Sequence, residues 1–208
     1  MTTDSQAARC ILPPYFVLHD FLRAKDADGL LSFAVEHRDS FAPAKTGLGA
    51  EGALRTHIRS SEQTRELGAF ADILREALLP CLPELCVGVG LSPFVPDGIA
   101  LQLVAHGDGG FYKRHIDTAT TPMAHRLRVL TAVYYVHRRP KIYQGGALRL
   151  HAIGGGETFV DVQPAHNMLV VFPAFAPHEV LPVRCPSEDF ADRRFSVNCW
   201  AYRSRTPV

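Results

Sequence analysis

The chain of 208 residues contains no CxxC pair, no HExxH motif, no Lys/Arg run and no long apolar stretch. Each absence removes a class of function. Its five cysteines (Cys10, Cys81, Cys86, Cys185, Cys199) are odd in number and scattered, which suggests neither a disulfide framework nor a thiolate zinc site. A formal charge of +1 without a basic run argues against a nucleic-acid partner. No segment is apolar for long enough to cross a membrane. The opening MTTDSQAARC lacks a basic stretch followed by an apolar one, so a reducing, cytoplasmic setting is expected. The missing HExxH, with no evident general-base glutamate, counts against metal-assisted hydrolysis. Repeats, low-complexity segments and a convincing domain boundary are also lacking, so residues 1–208 are expected to form a single domain, with residues 1–10 frayed. Gly154-Gly155-Gly156 lies between two strand candidates and reads as a hairpin turn, lacking the helix context of a phosphate cradle. The sequence leaves the oligomeric state open.

What is present follows a helix-then-strand order. Ile11 to Phe21 carries a short apolar segment after two prolines and reads as an edge strand, where proline is tolerated. Lys25 to Arg38 reads as a helix with Ala27, Leu30, Leu31, Ala34 and Val35 on one stripe, weakened by Gly29. Glu66 to Leu79 repeats the pattern through Leu67, Phe70, Ala71, Leu74 and Leu78, with Pro80 and Pro83 expected to end it. Between these helices, residues 40–61 lose periodicity and hold three glycines; a loop of that length is either a functional lid or surface irregularity. From Ile99 onward the pattern is β. Arg128–Val136, Ala147–His151, Thr158–Val162, Met168–Pro173, His178–Val183 and Phe195–Tyr202 are short strands at close spacing. The expected fold class is therefore α+β, with about two helices packed outside a double-sheet jelly-roll core.

One stretch carries chemistry. His115-Ile116-Asp117 follows the turn Gly107-Asp108-Gly109-Gly110. If this stretch is extended, the imidazole and carboxylate share a face while Ile116 points into the wall behind them. With a second histidine, such a pair makes the facial triad of a non-heme Fe(II) oxygenase. His178, after the Phe172–Pro177 segment and 61 residues beyond Asp117, suits delivery from the opposite sheet. Three open positions on an octahedral metal would admit a cosubstrate and dioxygen, although the same three ligands also suit zinc with one water. Histidines 19, 37, 57, 125, 137, 151 and 166 read as structural or surface groups.

The ordered blocks GGFYKRHID, RVLTAVYYV, GGALRL, FPAFAPHEVLPV and RRFSVNCW resemble the 2-oxoglutarate/Fe(II) dioxygenases, and within them the prolyl 4-hydroxylase-like branch. The match covers about residues 94–203. It implies a double-stranded β-helix there, supported by residues 11–93, with Fe(II) held by His115, Asp117 and His178. It also implies 2-oxoglutarate and O2 as cosubstrates, ascorbate as an accessory reductant, and hydroxylation of a C–H bond with release of succinate and CO2.

Arg194 matches the residue that grips the far carboxylate of 2-oxoglutarate, where a planar guanidinium offers two parallel hydrogen bonds. Alternation places Arg194 with Ser196, Asn198 and Trp200 on one face, and Phe195, Val197 and Cys199 on the other. The sixteen positions from His178 to Arg194 exceed the family spacing, and the turn-rich residues 185–190 can loop out. Tyr135 matches the tyrosine that bonds the same carboxylate, though a packed strand tyrosine would look alike. His106 stands where many relatives have tyrosine, which leaves its contact with the cosubstrate open. Tyr112, Arg128, Thr131, Asn198 and Trp200 fall at pocket positions; a surface arginine at 128 or a structural amide at 198 reads equally well. The substrate implied is a prolyl or other amino-acid-like small molecule or peptide. Two rival readings stand beside this one, a cupin-type metal hydrolase or isomerase and a non-catalytic 2-oxoglutarate or metal sensor.

Overall fold

The computed structural model describes residues 11–46, 53–119, 126–154 and 157–204. In its N-terminal part β1 (Phe16–Leu18) leads to α1 (Ala24–Glu36), then β2 (Ala42–Pro43), β3 (Arg59–Ser60), β4 (Glu62–Thr64) and α2 (Phe70–Gly88). The β-rich part opens with β5 (Gly98–His106), β6 (Phe111–His115), β7 (Arg126–Val136), β8 (Gln144–Gly145) and β9 (Leu148–His151). It closes with β10 (Phe159–Val162), β11 (Met168–Pro173), β12 (His178–Val180), β13 (Val183–Arg184) and β14 (Arg194–Ser204).

Two antiparallel sheets result. The larger has the order β1-β11-β7-β14-β5-β4-β2, the smaller β10-β9-β12-β6-β3, with β13-β8 as a two-stranded ribbon. β1 is the edge strand expected from its prolines. Strand alternation divides the core in two. Leu130, Ala132, Tyr134 and Val136 of β7 face a cluster with α1 and α2, together with Phe195, Val197 and Cys199 of β14. Val133 and Tyr135 point the other way, onto Leu148, Leu150, Val170 and Phe172 between the sheets. Helices on the outside and a double-sheet core inside agree with the expected architecture.

The second helix departs from its expected limits. It starts at Phe70, after Gly68 takes a positive φ of 51°, and runs to Gly88 through Pro80 and Pro83. Each proline removes an amide donor, so the carbonyls of Glu76 and Leu79 lose their intrahelical partners. Both prolines are exposed, which lets water take those carbonyls, while Leu82, Leu85 and Cys86 continue the buried stripe of Leu74 and Leu78. Burying a leucine stabilises by about 1.5–3 kcal/mol. A helix-interior proline costs about 3 kcal/mol. Continued burial is thus of the right size to carry the helix past the breakers. Gly29 has a packing reason too: a Cβ there would meet the Phe70 ring at 3.1 Å. Among the described residues no helix is long and apolar enough to cross a membrane.

The stretch 40–61 is tied into the sheets at its base. Ala42 and Pro43 pair with β4, Thr46 bridges to Ala53, and Arg59 and Ser60 pair with Tyr112 and Phe111 of β6. Its tip, residues 47–52, lies outside the described residues, as do Gly155 and Gly156 of the β9–β10 connection. Residues 185–192 dock instead of hanging free: Cys185, Phe190, Ala191 and Asp192 are buried, and Arg138 donates to both Asp189 and Asp192.

Candidate functional site

The turn at 107–110 sets up the site. Gly109 has φ +67°, Gly110 N–H donates to the Gly107 carbonyl, and Asp108 accepts from the Cys185 amide, so the chain reverses tightly into β6. His115 ends that strand. Asp117 follows just beyond it, its amide donating to the Ala174 carbonyl after β11. His178 opens β12 and lies directly across from His115 in the pairing register. It therefore arrives from the neighbouring strand of the same sheet, not from the opposite sheet. The long sequence gap is taken up by β7 to β11, while β12 returns antiparallel beside β6. Ile116 also differs from expectation. It is 37% exposed, because β6 has ended and its side chain has no wall to enter.

The three side chains converge, with one ligand atom from each within 4.8 Å of the others. The Nε2 of His115 lies 3.7 Å from Asp117 Oδ1, and that of His178 lies 3.6 Å from Oδ2. Each ring is oriented through its other nitrogen. His115 Nδ1 bonds the Lys113 carbonyl at 2.8 Å, and His178 Nδ1 bonds that of Ala176 at 2.9 Å. A carbonyl partner fixes the proton on Nδ1 and leaves the Nε2 lone pair for a metal. Asp117 is held likewise: Thr131 Oγ1 and Trp200 Nε1 both donate to Oδ2 at 2.9 Å. Burial works against its ionised form, yet the adjacent His178 and His115 and the Trp200 bond leave its pKa below the usual carboxylate value. Burial, then His178, depresses His115 to about 3, so the ring is neutral near neutral pH. This donor set fits a divalent metal with two imidazole nitrogens, one carboxylate oxygen and an open side.

Behind the triad lies a second group. Arg194 is 1% exposed; its Nε donates to the Gly146 carbonyl at 2.8 Å and its guanidinium lies 5.0 Å from the Tyr135 ring centre. Gly146 has to be glycine, since a Cβ would stand 2.6 Å from Arg194 Cδ. His106 Nδ1 approaches Arg194 Nη1 at 3.4 Å, and burial, then Arg194 and Arg59, keep that imidazole well below its ordinary pKa and neutral. Arg194 Nη2, the Tyr135 hydroxyl, the Tyr143 hydroxyl and His106 Nε2 are buried without a partner among the described residues. Buried polar atoms are normally satisfied. Here a guanidinium N–H and two hydroxyls await an acceptor, and a dicarboxylate's far end meets that need. Arg193, the neighbour, turns outward to pair with Glu62 and cover Phe190.

All the sequence-derived site residues except Thr131 line one cavity of about 170 Å³, and Thr131 sits behind Asp117. Tyr112 stacks on His115 with ring centres 3.6 Å apart. Arg128 lies 3.8 Å from Asp117 Oδ1 and 3.9 Å from the Trp200 ring centre, so it faces the site and not the outer surface. Asn198 lines the cavity on the Arg194 face. Arg59, Gln102 and Tyr143 were not foreseen. Alternation along β5 could have turned Gln102 inward with His106, but Arg59 lies in a stretch with no period to read.

Comparison with known proteins accords with this geometry. The 2OG-Fe(II) oxygenase superfamily profile matches residues 101–202. An uncharacterised PKHD-type hydroxylase of Synechocystis is 31% identical over 207 residues, spanning 96% of this chain and 67% of the relative. A Pseudomonas putida prolyl-4-hydroxylase shares the fold at TM-score 0.66 and 24% identity, covering 92% of this chain and 94% of its own. A Trichoplax adhaerens prolyl hydroxylase, solved with a hypoxia inducible factor peptide fragment, gives TM-score 0.68 at 19% identity, covering 91% and 84%.

Proposed function

Since the chain belongs to the 2OG-Fe(II) oxygenase superfamily, and is on that ground a hydroxylase using Fe(II), 2-oxoglutarate and O2, we propose which of its residues serve each role and which substrates it takes. His115, Asp117 and His178 hold the metal, Arg194 and Tyr135 hold the far carboxylate of 2-oxoglutarate, and the substrate is a prolyl or other amino-acid-like molecule. When bound, Fe(II) with 2-oxoglutarate and O2 supplies oxidative decarboxylation to succinate and CO2, coupled to insertion of oxygen into a C–H bond. The chain's own groups do the orienting. Thr131 and Trp200 restrain Asp117, and the carbonyls of Lys113 and Ala176 keep both imidazoles in the ligating tautomer. Arg194, sealed from solvent, supplies charge where water competes least. Neutral His106 adds a hydrogen-bonding group beside Arg194 without a second buried positive charge. A reducing, cytoplasmic setting fits the unpaired Cys81, Cys86, Cys185 and Cys199.

One observation carries this reading: a metal-competent triad shares its cavity with a buried guanidinium and a tyrosine hydroxyl, those of Arg194 and Tyr135, that keep atoms without a partner among the described residues. Anaerobic addition of 2-oxoglutarate to the Fe(II) protein is expected to give a visible charge-transfer band. His115→Ala is expected to abolish both the band and substrate-dependent succinate formation. No band from the wild-type protein would favour a cupin-type reading, a band without succinate formation would favour a sensor, and unchanged turnover in the variant would remove His115 from the metal. Screening amino acids and peptides for gain of one oxygen atom by mass spectrometry then identifies the substrate.

A further inference from the structure

The cavity holds more positive charge than the cosubstrate can use. Lys45, Arg59, Arg65, Arg128 and Arg194 line it against a single carboxylate, Asp117. Fe(II) adds two positive charges, and the two carboxylates of 2-oxoglutarate do no more than offset the metal. Arg194 serves one of those carboxylates. Most of the remaining cations are left without a counter-ion.

Arg59 is the clearest of these. It is 6% exposed, and its one side-chain hydrogen bond runs from Nε to Ser61 Oγ at 2.8 Å. No carboxylate among the described residues pairs with it. A guanidinium stays charged when buried, and a buried charge is normally paired. Its carbon lies 4.8 Å from the centre of the Tyr112 ring, which itself stacks on His115 at 3.6 Å. Arg59 therefore stands one aromatic ring away from the triad. Arg128 stands beside Asp117, its side chain 31% exposed against the sealed Arg194. Positive charge thus extends from the cavity floor past the triad to a more open position.

We propose that Arg59, with Arg128 at its approach, binds a carboxylate of the primary substrate, making this a hydroxylase of small amino-acid-like acids whose carboxylate is free. The inference rests on the oxygenase reading of the same cavity. The two-pronged guanidinium anchors the acid, and the adjacent triad selects which carbon of the anchored molecule is presented.

The test uses full-length protein loaded with Zn(II), which has no redox chemistry and allows no turnover. With 2-oxoglutarate saturating, the twenty proteinogenic amino acids and their carboxamides are titrated against the fluorescence of Trp200, the chain's single tryptophan and a cavity residue. At least one acid is expected to bind roughly ten- to hundredfold more tightly than its amide, the range for losing a hydrogen bond to a charged group. Arg59→Gln is expected to erase that difference while leaving 2-oxoglutarate affinity unchanged. Arg59→Lys keeps the charge and the stem against Tyr112 but loses the second prong, and serves if the glutamine variant fails to fold. It is expected to hold the acid roughly tenfold more weakly. Binding of no acid, equal binding of acids and amides, or unchanged acid affinity in the lysine variant overturns the proposal. So does a loss of 2-oxoglutarate affinity in Arg59→Gln, which would assign Arg59 to the cosubstrate. Failure of 2-oxoglutarate to bind the wild type would instead sink the role given to Arg194, with the acid–amide comparison still readable.

Discussion

At the scale of single residues, the site depends on how Asp117 is restrained. A carboxylate can rotate, and a rotating ligand loses part of its metal affinity to entropy. Thr131 and Trp200 prevent this by donating to the same oxygen, Oδ2, from β7 and β14. Thr131→Val removes one donor and nearly conserves shape at a strand position that is 1% exposed. Metal affinity is expected to fall roughly tenfold or more. A Zn(II) titration of the two proteins measures it, and equal affinities would show that Trp200 alone suffices. Sequence made this residue visible only by position. His115 and Asp117 were legible as a pair from their closeness in sequence, although β6 ends at His115 and the Ala174 carbonyl, not strand alternation, anchors the Asp117 backbone. Arg59 was not legible, because its place beside Tyr112 comes from pairing between β3 and β6, a long-range contact with no local signature.

At the scale of elements, legibility followed burial. The long strands were readable to within a residue or two because one face or both enter a core, as in β7, β11 and β14. β3 and β4, spelling Arg-Ser and Glu-Gln-Thr, carry no apolar alternation and exist because they pair with β6 and β5. The second helix was cut short for the opposite reason: a strong local signal, proline, was overruled by a leucine stripe that continues beneath it. That conflict remains in the native state and is measurable. In Pro83→Ala an amide returns to the Leu79 carbonyl on the exposed face, and the loss of chain stiffness in the unfolded state offsets part of the gain. A net stabilisation of about 1–2 kcal/mol is expected, read as a raised urea midpoint with unchanged slope. A lowered midpoint would mean that the helix has adapted its packing around the ring.

At the scale of the whole molecule, the two cores differ in chemistry, and pH should separate them. The helix-side core is built of aliphatic, aromatic and cysteine side chains, whereas the space between the sheets encloses His106 and His115 as neutral rings. Burial lowers both below the ordinary value of 6.5, His115 to about 3. An unfolded chain releases these rings to water, where they take up protons as pH falls through 6.5. Between that value and the depressed native one, the unfolded state binds more protons than the folded state, so stability rises with pH and is lost on acidification. Each such histidine contributes a slope of about 1.4 kcal/mol per pH unit. Asp117 and Asp161 are held below 3.8, and their contribution is lost only as the unfolded carboxylates begin to protonate below about pH 5, so the loss between pH 6.5 and about 5 belongs to the histidines. Metal-free protein is therefore expected to show a melting temperature that is flat above pH 7 and falls steadily below 6.5. His106→Gln, which keeps a polar group without a titrating one, is expected to flatten that fall by about one histidine's share. Melting curves of both proteins from pH 8 to pH 4.5 decide the matter, and a wild-type curve that stays level down to the carboxylate range would mean that these rings are hydrated in the native cavity.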